Sequence, residues 1–306
     1  KDYKTIHTLA FFNDIILIMK INKSKLSTFL LLAVAIICGS GFIATEYAIK
    51  SNMPTSLIMT LRFTIASLVM GVASFKDLKY INKESIIVGT IAGVLLFIGF
   101  FSQTYGQAFT NVSSSAFLTS TNVVMIPFIV WLITKKRPSL KSFVLAFSTL
   151  IGIGFLTLKP SESIGLGKGE IFIVLCAIFF ALHISYLGTS ARKINPRILT
   201  FLQMFVAGIC SLTSFLILDR NNITSSMIQN GLLPAVYLAL FSTCLCYFLQ
   251  TYSQQHVSAS KAGIIMSMEG LFGTLFSIVL GLESLTSSII IGGLIILLSV
   301  ILMEVD

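Results

Sequence analysis

Gln103-Thr104-Tyr105-Gly106-Gln107 reappears 147 residues further along as Gln250-Thr251-Tyr252-Ser253-Gln254, and the same displacement carries Ser113 onto Ser260 and Ser120 onto Ser267 without a gap. The identity is thin but ordered. Upstream, Met53-Pro54-Thr55 is answered by Asn195-Pro196-Arg197, and in each place a proline marks a loop that opens a new apolar stretch. A long-period repeat kept in order divides the chain into two copies.

The copies are built of apolar spans. Of 306 residues 55% are hydrophobic and 11% charged, with mean hydropathy +0.94, where a soluble domain carries about a quarter charged residues. Runs such as Leu26 to Ile49 and Ile289 to Met303 are apolar all round, which fits lipid as the solvent. A helix crossing the hydrocarbon needs about 20 residues. Cutting the chain at its charged or Pro/Gly-bearing loops leaves ten stretches, beginning near Leu26, Thr55, Ile86, Ser113, Ser142, Glu170, Ile198, Gly231, Ser260 and Leu285. Five spans per copy is odd, so the second copy crosses in the opposite sense. The expected fold is therefore an all-α integral membrane protein, ten transmembrane helices as a 5+5 inverted repeat. A cytoplasmic N-terminal segment (1–25) precedes the repeats 26–158 and 165–303. Two such halves can exchange inward-open and outward-open shapes around one midplane site, although inverted repeats also occur in channels.

The net charge of +9 does not point to nucleic acid, because the cations form short clusters between spans rather than a stripe. With the N-terminus inside, the inner loops hold sixteen Lys and Arg and the outer loops four (Lys50, Lys159, Lys168 and Arg220), Arg62 lying within a span. That asymmetry places both termini in the cytoplasm and the protein in the cell (inner) membrane. The five cysteines fall inside spans without CxxC spacing and read as packing residues, not metal ligands. Ile6 to Met19 is interrupted by Asn13 and Asp14 and lacks a small-residue cleavage site, so it does not read as a signal peptide. Met19, followed by Lys20, Lys23 and Lys25, looks like a natural start, and residues 1–18 like an upstream extension.

The chain resembles an EamA-type member of the drug/metabolite transporter superfamily over residues 26 to 303. The residues that carry the resemblance are Gly39-Ser40-Gly41-Phe42, Leu61-Arg62-Phe63, Ser115-Ala116-Phe117-Leu118-Thr119, Val130-Trp131-Leu132 and Lys135-Lys136-Arg137-Pro138-Ser139. In the second half they are Phe179-Phe180-Ala181-Leu182-His183, Ser258-Ala259-Ser260-Lys261-Ala262 and Gly281-Leu282-Glu283. The resemblance implies a ten-helix fold with a central cavity, no cofactor, and exporters of amino acids and other metabolites among its relatives. Glu46, where similar proteins often have lysine, and Gly270, where proline often follows the acid of the ninth span, are departures.

Ionised groups at membrane depth cost roughly 2.5–3.5 kcal/mol on insertion scales, so they mark interior or wet surfaces. Glu269 lies halfway along the ninth span, and the displacement of 147 puts Asn122 at the matching point of the fourth. Both flank the centre where inverted-repeat carriers bind cargo; a helix–helix hydrogen bond is the plainer role for Glu269. His183, mid-depth in the sixth span with Tyr186 one turn on, is a proton carrier or a satisfied buried histidine. Arg62 and Glu46 lie at similar depth and are expected to form a structural ion pair, with a substrate clamp as the alternative. Gln103 and Tyr105, and Gln250 and Tyr252, fall toward opposite membrane faces and are candidate gates or interhelical hydrogen-bonding groups. Pro127 frees the carbonyl of Val123 and is expected to kink the fourth span beside Asn122.

These residues together suggest a secondary-active permease for small metabolites in a lipid bilayer, with amino acids or other zwitterions and cations as cargo. A proton through Glu269 or His183 is the candidate coupling ion. The chain contains no phosphate-binding Gly-x-x-x-x-Gly-Lys-Ser/Thr loop for ATP-driven pumping. A channel or receptor is one alternative. An intramembrane hydrolase built on Ser40 and His183 is another, although Cys38-Gly39-Ser40-Gly41 lacks the first glycine of a rhomboid-like signature.

Overall fold

The computed structural model describes residues 23–110, 112–157, 167–281 and 284–304. The expectations for residues 1–18, for most of the N-terminal segment 1–25 and for the junction 158–165 lie outside them, as do Leu282 and Glu283. Among the described residues every regular element is helical. In lipid a backbone polar group has no water to turn to, and a helix satisfies its own.

Eight helices are long and apolar enough to cross a membrane: Lys23–Lys50, Thr55–Ala73, Lys83–Gln107, Ser115–Thr134, Lys168–Ser190, Pro196–Leu218, Ser225–Ser253 and Ala259–Val279. Two shorter apolar helices, Leu140–Phe155 and Ser287–Met303, take the fifth and tenth places. Local chemistry fixes several entries. Asn82 and Ser85 form a reciprocal capping box at the third span, Asn195 caps the seventh with Pro196 in its first turn, and Ser258 caps the ninth.

The packing obeys an inverted twofold. The first span lies on the eighth as the sixth lies on the third, the first on the ninth as the sixth on the fourth, and the second on the eighth as the seventh on the third. The second and seventh spans, and the fifth and tenth, pack on their own images. Single bonds repeat too. Gln107 Nε2 donates to the Phe42 carbonyl at 3.3 Å, and Gln254 Nε2 to the Ile184 carbonyl at 2.9 Å. Phe42 and Ile184 are 142 residues apart, the same offset that relates Met53-Pro54 to Asn195-Pro196. Longer helices in the second half account for the change of offset to 147: Pro196–Leu218 has 23 residues against 19 in Thr55–Ala73, and Ser225–Ser253 has 29 against 25 in Lys83–Gln107.

The fourth and ninth spans are each broken, at matching points. Val112–Ser120 and Asn122–Thr134 meet at Thr121; Ala259–Met266 and Glu269–Val279 meet at Ser267 and Met268. At both breaks a hydroxyl turns back on the carbonyl three residues earlier, Thr121 Oγ1 to Leu118 and Ser267 Oγ to Ile264, each at 2.6 Å. The neighbouring amides Thr121 N to Leu118 O and Met268 N to Ile265 O also close three-residue turns, at 3.2 Å. Such bonds compete with the helical ladder and tighten it locally. The break in the fourth span is thus not the expected consequence of Pro127, which lies inside the helix Asn122–Thr134. The ninth span breaks at the same place with no proline.

The eighth span departs from the symmetry. Its segment Leu238–Leu245 is a π-helix, following Pro234, while the matching part of the third span is regular helix. A π turn inserts one extra residue and rotates the side chains that follow.

Candidate functional site

The two breaks bound a cavity of about 50 Å³, room for one or two waters. Its wall repeats the fold's symmetry. Offsets of 142 pair Cys38 with Phe180, Gly41 with His183 and Phe42 with Ile184; offsets of 147 pair Phe100 with Tyr247, Gln103 with Gln250 and Asn122 with Glu269. Asn122 and Glu269 each begin the second half of a broken helix. Glu269 has no hydrogen-bond or ion-pair partner among the described residues.

The first span passes Glu269 at backbone distance. A Cβ on Gly39 would lie 2.7 Å from the Glu269 carbonyl and 2.8 Å from the Gly273 nitrogen, so only glycine permits this approach.

The cavity's asymmetry comes from Arg62, Thr45, Ser242, Met266 and Ser267. Arg62 is 2% exposed. Its Nε donates to Thr243 Oγ1 and its Nη2 to Ser242 Oγ at 3.0 Å, both on the π segment. The guanidinium carbon stands 3.8 Å from the centroid of Phe100, a cation–π contact strengthened by the dry surroundings. Phe100 in turn meets Phe63, Phe180 and Tyr247 edge-on at 5.8, 4.9 and 5.6 Å.

Arg62 is therefore not the partner of Glu46. Glu46 pairs with Lys50 one turn on at 3.2 Å and receives Gln107 Nε2 at 3.5 Å. The two share a depth in the sequence, but Arg62 turns to the cavity where uncharged acceptors hold it. The pair Glu46–Lys50 is the ordinary i, i+4 arrangement.

Of the other candidate residues, Gln103, Asn122, His183, Gln250 and Glu269 share this one cavity. Gln103 and Gln250, the candidate gates, both line its wall at symmetry-related positions. Tyr186 lies outside, half-buried against the cluster around Val88, Leu187 and Leu199. Tyr105 sits at the end of the third span, where its hydroxyl receives Lys168 Nζ at 2.7 Å and its ring meets Phe109 and Phe172. Tyr252 lies against His256, ring centroids 5.1 Å apart. Ser40 does not meet His183: its hydroxyl bonds to the Ile37 carbonyl and the Tyr237 hydroxyl, each at 2.6 Å, while His183 bonds to Gln203 at 2.8 Å. The dyad a hydrolase would need is not assembled.

Sequence reasoning missed Ser242, Thr243, Phe100 and Tyr247. The offset of 147 from Phe100 to Tyr247 was available as a signal. For Ser242 and Thr243, apolar neighbours and a π turn left none.

A bundle of membrane-spanning helices in two inverted halves, with broken helices crossing at a polar centre, defines a multi-pass membrane transporter. The chain belongs to the EamA-like transporter family, whose profile matches residues 25–158 and again 167–305, and so to the drug/metabolite transporter superfamily. An uncharacterized transporter of Archaeoglobus fulgidus is 32% identical over 274 residues, covering 89% of this chain and 83% of its own. The uncharacterized transporter YetK of Bacillus subtilis is 24% identical over 274 residues, covering 80% and 77%. One solved crystal structure, 14% identical, superposes with a TM-score of 0.76 over 92% of this chain and 96% of that one, a likeness of fold.

Proposed function

We propose that this protein is a secondary carrier that exports zwitterionic metabolites, amino acids foremost, by alternating access. The observation that carries the reading is that Arg62 and Glu269, one cation and one acid from opposite halves, line the same cavity without pairing with each other. A cargo carboxylate suits the planar fork of Arg62, and a cargo ammonium suits Glu269. The cavity is far below the 300–1,000 Å³ usual for small-molecule sites, which fits a state contracted between inward-open and outward-open forms. Glu269 and His183 are the groups through which a proton would couple, and the basic loops orient both termini to the cytoplasm of a cell membrane.

The test is counterflow in liposomes loaded with a panel of the twenty amino acids. Saturable exchange of at least one is expected, with its pH dependence lost in Glu269→Gln. Ohmic single-channel conductance in place of counterflow would replace the carrier by a channel.

A further inference from the structure

Two relays of side-chain amides end at the cavity, and each starts from a backbone carbonyl that can only accept. In the first, Gln254 Nε2 donates to the Ile184 carbonyl at 2.9 Å, which leaves Gln254 Oε1 to accept from Gln250 Nε2 at 3.2 Å. Gln250 is thereby oriented with its Oε1 left over, and that oxygen is buried without a partner. In the second, Gln203 Nε2 donates to the Leu199 carbonyl at 3.3 Å and to Thr251 Oγ1 at 3.4 Å. Gln203 Oε1 is left to accept from His183 Nε2 at 2.8 Å. This assigns the His183 proton to Nε2 and leaves Nδ1 as a bare acceptor, with no partner among the described residues. Gln203 and Gln254 are fully buried, His183 and Gln250 1% exposed.

Gln250, His183 and Glu269 all line the cavity, and each keeps an acceptor without a donor among the described residues: Gln250 Oε1 from the eighth span, His183 Nδ1 from the sixth and the Glu269 carboxylate from the ninth. A buried acceptor left unmade, as Gln250 Oε1 is, costs about 1–3 kcal/mol, and three unpaired acceptors on residues of one cavity suit a compact group with several donors. A protonated primary amine has three N–H donors on one nitrogen and no acceptor. We propose that the site selects cargo bearing a free primary ammonium, held by Gln250, His183 and Glu269 while its carboxylate lies on Arg62, and that it rejects N-methylated amines. Gln203 and Gln254 are positioning residues, fixing the His183 tautomer and the Gln250 amide. This rests on the zwitterion reading above.

The experiment uses the purified full chain and measures dissociation constants by ligand-induced thermal stabilisation. After a screen of the twenty amino acids, the probes are glycine and leucine with their N-methyl, N,N-dimethyl and N,N,N-trimethyl derivatives. Each N–H removed is expected to weaken binding by roughly tenfold or more, the worth of one charge-assisted hydrogen bond. In Gln203→Met and Gln254→Met the ratio between primary amine and N-methyl derivative should shrink toward one, with the trimethyl compound unchanged, which separates lost hydrogen bonds from methyl bulk. Equal binding of primary and methylated amines in the wild type would overturn the ammonium inference and leave the zwitterion reading standing. Stabilisation by none of the twenty amino acids would overturn both.

Discussion

Arg62 and Glu269 line one cavity from the second and ninth spans, and no salt bridge joins them. Arg62 is held by two hydroxyls and an aromatic face instead. A buried charge held by neutral groups keeps its attraction for an incoming opposite charge, whereas a direct pair would have to be opened first. Arg62→Gln should therefore cut amino-acid counterflow by roughly 10- to 100-fold, the worth of one or two hydrogen bonds to a charge. Arg62→Lys should recover little, since a lysine lacks the fork that spans Ser242, Thr243 and a carboxylate. Wild-type exchange in Arg62→Gln would remove Arg62 from the site.

Gly39 and Gly270 make opposite predictions. At Gly39 a new Cβ would meet the Glu269 carbonyl at 2.7 Å, backbone against backbone, so Gly39→Ala must part the first and ninth spans at a cost of about 1–3 kcal/mol. At Gly270 the nearest atoms to a new Cβ are Ile153 Cγ2 and Ser120 Oγ, both at 3.9 Å. Gly270→Ala makes ordinary contact there and gains up to about 1 kcal/mol of helix propensity. Melting of the two variants in detergent should move the first down and the second unchanged or up. A rise for Gly39→Ala would contradict the close approach.

The features legible in the sequence are those that depend on solvent and on order along the chain. Apolar length gave the spans, and the displacement of 147 gave Asn122 and Glu269 as equivalent points, because lipid and duplication both leave marks at fixed spacing. The breaks were legible only in part. Pro127 is a conspicuous residue, yet the turn is made upstream by Thr121 and Ser267, whose hydroxyl bonds to carbonyls three residues back are indistinguishable in sequence from any serine in a membrane helix. The holders of Arg62 were hidden for a different reason. Ser242 and Thr243 reach it through a π segment, and a 3.6-residue projection of the eighth span assigns those side chains to the wrong directions. Depth alone paired Arg62 with Glu46, and depth does not say which way an arginine turns.

Gly41 carries a consequence of that arrangement. A Cβ there would lie 2.7 Å from Ser242 Oγ, the atom that receives Arg62 Nη2. Gly41→Ala should therefore resemble Ser242→Ala, each releasing one hydrogen bond from the guanidinium. Both should raise the half-saturation of amino-acid exchange several-fold, and combined they should do little more than either alone, since they act on one contact. Multiplied effects in the double variant would show that Gly41 works through something other than Ser242.

Tyr105 and Lys168 join the third and sixth spans at the ends away from the basic loops 74–82 and 191–195. The bond of 2.7 Å is accompanied by Lys168 over the rings of Tyr105 and Phe109, at 5.0 and 4.6 Å. Neither residue lines the cavity, so neither can sort cargo. They hold together two helices that must separate if the cavity is to open on that side. Exposed contacts of this kind are worth about 1 kcal/mol or less. Tyr105→Phe and Lys168→Gln should leave the order of preference among amino acids unchanged and alter the rate of exchange no more than several-fold. A cysteine placed at Thr45, on the cavity wall, should become more reactive to a membrane-impermeant thiol reagent from that side when Tyr105→Phe is added, measured in a background without the native cysteines. A changed cargo order would make Tyr105 part of the binding site, and unchanged labelling would deny the contact any part in closure.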